Sequence, residues 1–160
     1  MPDLNGLPDG PARWKGIQFR DSGAAENKIA FADIEYAQDN NGAIGVINSS
    51  AVIDDVSFAG THRRMLYGNN ASLLIRNSDF PDMFAEDEDP AVLGLDNISE
   101  QIKIVGRPPA DGQLIIQNNV FGSNKGHNDV IDADSNRVTA GPILQILDNV
   151  FAGAGDELLD

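Results

Sequence analysis

The chain has 160 residues, 41% of them hydrophobic, which is enough apolar material for one folded domain with a core. Eleven Lys and Arg residues stand against 25 Asp and Glu residues, and the resulting formal net charge of −14 argues against binding to nucleic acid or to an anionic membrane surface. The absence of Cys excludes disulfides and thiolate metal sites, and no apolar run is long enough to span a bilayer.

The first segment, residues 1–13, is rich in Pro and precedes the first apolar segment. It has neither the basic nor the apolar part of a signal peptide. We expect residues 1–13 to form an N-terminal extension that caps the domain, and we assign residues 14–160 to the domain itself.

One pattern then recurs along the chain: a short aliphatic run, an Asn or Asp, and a closing aromatic residue. A weaker copy ends in Tyr36, and four clear copies end in Phe58, Phe80, Phe121 and Phe151. The first two steps between these aromatic residues are equal, and the later two are longer. Trp14–Phe19 has the features of an earlier member of this series. A second set of strand-like segments precedes the copies, at residues 43–47, 64–67, 102–105 and 130–133.

These segments are too short for helices, because Gly and Asn interrupt every run before it reaches about 10 residues. A step of about 22 residues, as in the first two intervals, is typical of a coil whose strands pair in parallel with the coils above and below. We therefore predict an all-β fold, a single-stranded right-handed parallel β-helix of about five to six coils. The longer steps become loops, an acidic insertion at 81–99 and a second at 133–142. An antiparallel sandwich also uses short strands, but it does not explain the regular step.

Two rows of residues have a structural interpretation in such a coil. The four closing Phe residues are predicted to form an internal aromatic stack. Several Asn residues fall at turns, where Asn tolerates a left-handed backbone and where amides stack between coils: Asn48, Asn70, Asn118, Asn119 and Asn149.

The recurring Asn-Asn-Val-Phe at 118–121 and Asp-Asn-Val-Phe at 148–151, together with residues 125–132 and 155–160, resemble right-handed parallel β-helix domains of the pectate-lyase-like superfamily. The likeness covers about residues 14–160 and extends to bacterial modules within large secreted multidomain proteins. It implies a location outside the cell or at the cell surface. It does not imply one activity, because the superfamily holds lyases, hydrolases, epimerases and inert spikes.

The strongest candidate site is an acidic ladder near the C-terminus. Residues 128–132 align with residues 156–160, which stacks Ile131 on Leu159 and places Asp132 beside Asp160 in the next coil. Facing carboxylates repel each other unless one is protonated or a cation lies between them. Since Ca²⁺ takes about six to eight oxygen ligands, we predict a calcium site here. Its ligands would come from Asn128, Asp129, Asp132, Asp134, Asp156, Glu157 and Asp160; the alternative is a solvated acidic face.

Two basic residues, Lys125 and His127, precede this ladder. A polysaccharide lyase of the resembling fold needs a cation to neutralise a uronate carboxylate and a base to take the C5 proton. Lys125 or His127 beside Ca²⁺ is the candidate for that catalytic base. The alternatives are a solvated lysine and a histidine that caps a turn. The other basic cluster, His62–Arg64, is interpreted as a surface turn or as a contact to an anionic sugar.

We expect a non-catalytic secreted module with a calcium site, acting as an interaction or carbohydrate-binding scaffold. The alternative is a calcium-dependent polysaccharide lyase or epimerase that acts on acidic glycans. A short coil offers a short groove, and an acidic surface repels a polyanion unless a metal inverts the local charge, so the scaffold is favoured. The expected partners are a polysaccharide and, through the uncapped strand edge at Leu158–Leu159, a second copy or further coils of a longer chain. No nucleic acid or membrane partner is expected.

Overall fold

A computed structural model describes residues 14–23, 26–37, 39, 41–61, 64–83, 100–109, 111–124, 129–133 and 143–160. Within these ranges the secondary structure is strand, turn and bend, and no helix of a length and hydropathy suited to crossing a membrane is present. The all-β prediction is therefore confirmed for the described residues. The expected N-terminal cap and most of the two loop insertions lie outside them.

The strands are short, as the Gly and Asn punctuation predicts. In chain order they are β1 (Ile17–Arg20), β2 (Asn27–Glu35), β3 (Ile44–Ile47), β4 (Ser50–Ala59), β5 (Leu66–Asn69), β6 (Ser72–Arg76), β7 (Asp79–Phe80), β8 (Ile102–Val105), β9 (Gln113–Gln117), β10 (Val120–Phe121), β11 (Ile131–Asp132), β12 (Ile143–Leu147) and β13 (Val150–Phe151).

The strands form two sheets in which the pairs are parallel. The first sheet has the order β1-β3-β5-β8-β11. The second contains β2, β4 and the split strands β6/β7, β9/β10 and β12/β13. The chain visits the two sheets alternately, and we call each visit to both a circuit: β1–β2, β3–β4, β5–β7, β8–β10 and β11–β13. This all-parallel arrangement is compatible with a β-helix or another solenoid.

The core lies between the inward faces of the two sheets and consists of columns of aliphatic side chains in register. Strand alternation turns every second residue inward, which gives β6 and β9 their alternating burial. In the second sheet Ile53, Ile75 and Ile116 are paired neighbours and are fully buried. Ile44, Leu66, Ile102 and Ile131 form the matching buried column of the first sheet.

The predicted aromatic stack is confirmed. The rings of Phe58, Phe80, Phe121 and Phe151 follow one another with centroids 5.1, 4.5 and 4.9 Å apart and with planes 24°, 13° and 7° from parallel. Offset stacking of this kind adds to the free energy gained from burying the rings. Phe80 and Phe121 are almost completely buried, so the stack is part of the core.

The first circuit corrects two details of the repeat alignment. Strand β2 pairs with β4 in a register that places Ile34, not Tyr36, next to Phe58 in the aromatic column. Tyr36 is 40% exposed, and its ring covers Gly60, where an added Cβ would come within 2.5 Å of a ring atom. The segment Trp14–Phe19 contributes β1 to the first sheet and is therefore a member of the second strand set.

Left-handed residues recur at two corners of the circuit. One corner holds Asp21, Asn48, Asn70 and Gly106, and the other holds Phe31, Asp55, Asn77, Asn118 and Asp148, all with positive φ. At the first corner the amide of Asn48 donates to Asp21 Oδ1 (2.8 Å), and the amide of Asn70 donates to Asn48 Oδ1 (3.0 Å). Asn and Asp tolerate this conformation better than other side chains do, which confirms the interpretation of Asn48, Asn70 and Asn118.

A second amide ladder runs inside the second sheet, at the breaks that separate β6 from β7, β9 from β10 and β12 from β13. The backbone N–H of Ser78 donates to Asn119 Oδ1, and the backbone N–H of Asn119 donates to Asn149 Oδ1, both at 2.9 Å. The side-chain amides in turn donate to carbonyl oxygens of the preceding circuit: Asn119 to Ile75 (3.2 Å) and Asn149 to Ile116 (2.9 Å). The predicted amide stacking is confirmed for Asn119 and Asn149, because the Asn119 amide also donates to Asn149 Oδ1 at 2.9 Å.

Candidate functional site

The acidic ladder has the predicted backbone register. Ile131 pairs in parallel with Leu159, and the backbone N–H of Ala133 donates to the carbonyl oxygen of Asp160 at 2.9 Å. Asp132 and Asp160 are therefore neighbours across the pair, as the alignment of the two acidic segments predicts. Of the other residues named for this region, Asp129, Asp156 and Glu157 are described, whereas Lys125, His127, Asn128 and Asp134 lie outside the described residues.

The carboxylate of Asp132 is already paired with a cation, and that cation is a lysine side chain of the same protein. The side chain of Asp132 lies on the outward face, because Ile131 beside it fills the core, yet the residue is only 7% exposed. Its carboxylate is hydrogen-bonded and ion-paired to Nζ of Lys103, the residue directly opposite it on β8. The positive charge that the two facing carboxylates require is thus available from the preceding circuit.

Lys103 connects Asp132 to a larger group of charges that we call the ion-pair cluster: Arg64, Tyr67, Glu100, Lys103 and Asp132. Nζ of Lys103 lies 3.9 Å from Glu100 Oε1, and Nη2 of Arg64 lies 3.7 Å from Glu100 Oε2. The Arg64 guanidinium also lies 5.5 Å from the ring centroid of Tyr67, within the range of a cation–π contact. Among the described residues, the cluster thus brings two cations and two carboxylates together on the outward face of the first sheet.

The surroundings of Glu100 in this cluster disfavour its ionised form. Burial raises the pKa of Glu100 above its ordinary value, and Asp132 raises it further, while a backbone hydrogen bond and the charges of Lys103 and Arg64 offset only part of the rise. One carboxylate oxygen, Oε2, is buried and has no hydrogen-bond partner within the described part of the chain, although it lies 3.7 Å from Nη2 of Arg64. A charged Glu100 therefore costs free energy that a protonated one does not.

The remaining acidic residues of the ladder do not assemble a calcium site by themselves. Oδ1 of Asp129 accepts a hydrogen bond from the backbone N–H of Glu157 at 3.1 Å, and the carboxylate of Asp132 faces Lys103. In the part of the chain that the structure describes, no three acidic or His side chains are placed to hold one metal ion. Since Asn128 and Asp134 lie outside the described residues, the calcium site stays a prediction.

The second sheet also carries an ion pair between a basic and an acidic residue on neighbouring strands, Arg76 and Asp54. Arg76 Nη2 donates to Asp54 Oδ2 at 2.7 Å, the Asn77 amide donates to Asp54 Oδ1 at 3.0 Å, and Lys28 lies 3.8 Å away. The hydrogen bond from Arg76 holds the pKa of Asp54 below its ordinary value. Asp55, by contrast, is exposed at the left-handed corner, so the two adjacent acids have different surroundings.

Sequence reasoning missed Lys103 and Glu100, although a signal for Lys103 was present. Lys103 interrupts the apolar strand Ile102–Val105, and aligning Ile102 with Ile131 places Lys103 beside Asp132. Glu100 gives no such signal, because it precedes the strand.

A pH titration of stability tests the electrostatics of Glu100. Because its pKa is raised on folding, the folded chain keeps this proton to a higher pH than the unfolded chain, and the free energy of unfolding falls as pH rises through that interval. Glu100→Gln cannot ionise, so its stability relative to the parent should increase from about pH 3 to about pH 8 in urea unfolding experiments.

Asp54→Asn is the matched control, with the opposite sign. The lowered pKa of Asp54 means that its contribution is present above the ordinary carboxyl pKa and is lost as pH falls through the folded value. The parent should therefore lose its advantage over Asp54→Asn at low pH. A Glu100→Gln difference that is flat with pH, or that has the sign of Asp54→Asn, would contradict the assignment.

Comparison with known proteins finds no matching family model, no similar curated protein and no similar solved structure.

Proposed function

We propose that the two sheets are faces of one right-handed parallel β-helix of about five to six coils, related in fold to the pectate-lyase-like superfamily. The alternation of the chain between two parallel sheets supports this proposal, as do the left-handed corners that recur in successive circuits. We further propose that it works outside the cell or at the cell surface as a non-catalytic interaction or carbohydrate-binding scaffold with a calcium site at the acidic ladder.

The observation that supports the non-catalytic assignment is the mutual pairing of the described charges in the ion-pair cluster. The candidate bases Lys125 and His127 lie outside the described residues. A general base must be available to take a proton from a substrate within hydrogen-bond reach. Here the ammonium of Lys103 is held between Glu100 and Asp132, and Arg64 faces Glu100. Mutual pairing of this kind suits a rigid outward surface better than it suits proton transfer.

Incubation with an acidic polysaccharide such as polygalacturonate, with and without Ca²⁺, tests this function. We expect calorimetric binding without the ultraviolet absorbance of an unsaturated uronate product. Appearance of that absorbance would overturn the scaffold assignment in favour of a calcium-dependent lyase, and C5 inversion detected by NMR would favour an epimerase. Absence of binding would remove the carbohydrate from the proposal.

The calcium component of the proposal is tested separately by thermal unfolding with Ca²⁺, Mg²⁺ or EDTA. A ligand present at about 100 times its dissociation constant stabilises by about 2.7 kcal/mol, which a melting curve resolves. We expect Ca²⁺ to raise the midpoint of the parent and of Asp55→Asn, an exposed acid remote from the ladder, but not that of Asp160→Asn. A midpoint that no cation moves would refute the calcium site and leave a solvated acidic face.

A further inference from the structure

Lys103 and Asp132 place an amine against a carboxylate on neighbouring parallel strands of the first sheet. The two residues are direct partners in the pairing of β8 with β11, and Nζ of Lys103 contacts Oδ2 of Asp132. Ile102 and Ile131, the buried partners beside them, fix this register. The amine and the carboxyl carbon are therefore held close together by the backbone pairing and the core, and not only by their opposite charges.

The pair is largely shielded from water, and so is the acid next to it. The side chains of Lys103 and Asp132 are 17% and 9% exposed, and that of Glu100 is 12% exposed. Burial disfavours separate charges relative to neutral groups, because it removes water from the ions. Transfer of one proton from the ammonium to the carboxylate gives a neutral amine and a carboxylic acid, which are the two groups that condense to an amide.

Glu100 supplies a second acid beside the pair. Its Oε1 lies 3.9 Å from Nζ of Lys103, and its buried Oε2 has no hydrogen-bond partner among the described residues. Burial also raises the pKa of Glu100, which favours the protonated carboxyl that can give a proton to another oxygen. A carboxyl in this position can relay protons between the amine of Lys103 and the carboxyl of Asp132.

The other charged and titratable groups that face Lys103 come from β5 and the segment before it. Tyr67 is the partner of Lys103 on β5, and the Arg64 guanidinium lies 5.5 Å from the centroid of that ring. Nη2 of Arg64 also lies 3.7 Å from Oε2 of Glu100. Since a guanidinium stays protonated, Glu100 keeps a cationic neighbour even when Lys103 becomes neutral.

From this arrangement we propose that Lys103 and Asp132 condense to an intramolecular amide, an isopeptide bond that joins β8 to β11. One ammonium proton moves to the Asp132 carboxylate, and the lone pair of Nζ then attacks Cγ. Glu100 gives its proton to the departing oxygen of Asp132 and recovers one from Nζ, and the bond between Cγ and that oxygen breaks with release of one water molecule. The reaction needs no oxidant, reductant or further reactant, because an ammonium and a carboxylate together equal an amide and water.

Pre-positioning accounts for a condensation that free amines and carboxylates do not undergo in water. Well-oriented groups within one molecule react as if each were present at about 10⁵–10⁸ M. Here the parallel register and the low exposure of both side chains supply that orientation and limit the access of water, which would reverse the reaction by hydrolysis. The bond connects two residues 29 positions apart and ties two successive circuits together covalently.

The isopeptide bond goes beyond the scaffold proposal and does not depend on it. An amide at Asp132 removes the repulsion between its carboxylate and that of Asp160, its neighbour across the pair, and it leaves one carbonyl oxygen on Asp132. Since Ca²⁺ also accepts amide carbonyl oxygens, the bond neither requires nor excludes the proposed calcium site. It needs no glycan.

A lysine and an aspartate on the second sheet provide an internal control. Nζ of Lys28 lies 3.8 Å from Oδ2 of Asp54, but the Lys28 side chain is 43% exposed to water. The hydrogen bond from Arg76 holds the pKa of Asp54 below its ordinary value, which favours the carboxylate over the acid that condensation requires. We therefore expect no covalent bond between Lys28 and Asp54.

Mass spectrometry of the full chain tests the proposal directly. The parent should weigh one water molecule less than its sequence requires. Trypsin should not cleave after Lys103, and the digest should contain one branched peptide in which Lys103 is joined to Asp132. Hydroxylamine opens a succinimide, the other product that loses one water, formed at a site such as Asp111–Gly112; it should leave the mass of the parent unchanged.

Two conservative variants assign the roles of the side chains. Lys103→Arg keeps a positive charge opposite Asp132, but a guanidinium stays protonated and does not attack a carboxyl, so this variant should retain its full mass. Glu100→Gln keeps the amine and the carboxyl of the pair but cannot relay a proton, and the bond should form about 100-fold more slowly or less readily still. Circular dichroism checks that both variants remain folded, and the mass of the parent is a readout that does not depend on either.

Full sequence mass of the folded parent after prolonged incubation would overturn the proposal and leave an ordinary ion pair. A lost water that maps to another pair of residues, Lys28 and Asp54 included, would overturn it as well. A bond that forms equally fast in Glu100→Gln would refute the proton relay. None of these measurements involves calcium or a polysaccharide, so the isopeptide bond and the scaffold function are tested separately.

Discussion

Replacement of Phe121 by Ala is expected to lower the free energy of unfolding by about 3–5 kcal/mol. The ring is fully buried and stacks on Phe80 at 4.5 Å and on Phe151 at 4.9 Å. Removing it leaves a cavity in the middle of the column and also takes away two ring–ring contacts. Parallel strands hold the neighbouring circuits at a fixed spacing, which limits the collapse that would otherwise reduce the cost.

Chemical denaturation of the parent and the variant measures this loss. Phe31→Ala is the matched control, because Phe31 is 80% exposed at the free edge of the first circuit, and its removal should change stability by less than about 0.5 kcal/mol. A loss below about 1 kcal/mol for Phe121→Ala would show that the stack is not a closely packed part of the core.

The success of the repeat alignment and its failures have one physical origin. The aromatic column was predictable because every member occupies the same inward position and must be apolar. Its members are Phe58, Phe80, Phe121 and Phe151. In the first circuit that demand is relaxed: Ile34 fills the column, and Tyr36 lies beyond it against Gly60. An aromatic residue near the expected step was therefore a misleading marker, since β2 pairs with β4 in a different register from the one that the aromatic spacing implies.

The outward face was harder to predict because no single residue type is required there. The register of Asp132 against Asp160 followed from the aliphatic residues beside them, Ile131 and Leu159. The cation that neutralises Asp132 is Lys103, which lies in the preceding circuit, 29 residues earlier in the chain. Two carboxylates side by side indicate only that some positive charge is needed, and an ammonium of the same chain meets that need as well as a metal does.

The left-handed corners show the same contrast. Asn and Asp at the recurring positions were recognisable because few other side chains tolerate positive φ. Phe31 occupies one of these positions with φ of 55° and an exposed ring, and nothing in the structure explains why an aromatic residue is found there.

Asn119→Ala is expected to cost about 3 kcal/mol or more, although it removes only a small polar side chain. Asn119 is 1% exposed, and its amide serves three groups: the backbone N–H of Ser78, the carbonyl oxygen of Ile75 and Oδ1 of Asn149. Ala leaves the backbone N–H of Ser78 and the carbonyl oxygen of Ile75 without this partner, while Oδ1 of Asn149 keeps only the backbone N–H of residue 119; each buried polar atom left unpaired costs about 1–3 kcal/mol.

Asn69→Ala provides the control, measured by the same urea unfolding. Asn69 is only half-buried, and its amide makes one long contact of 3.5 Å, to the hydroxyl of Tyr67, so a loss below about 1 kcal/mol is expected. Equal losses in the two variants would mean that the ladder contributes no more than an ordinary surface amide.

Asn119→Asp distinguishes the contribution of the accepting oxygen of the Asn119 amide from that of its donating nitrogen. An aspartate keeps the oxygen that accepts from Ser78 but presents a second acceptor to the carbonyl oxygen of Ile75 and to Oδ1 of Asn149. Only the protonated carboxyl restores a donor, so the loss should be large at neutral pH and smaller at low pH. A pH-independent loss would place the cost in packing, whereas recovery on acidification would show that the donated hydrogen bonds are what couple neighbouring circuits at this point.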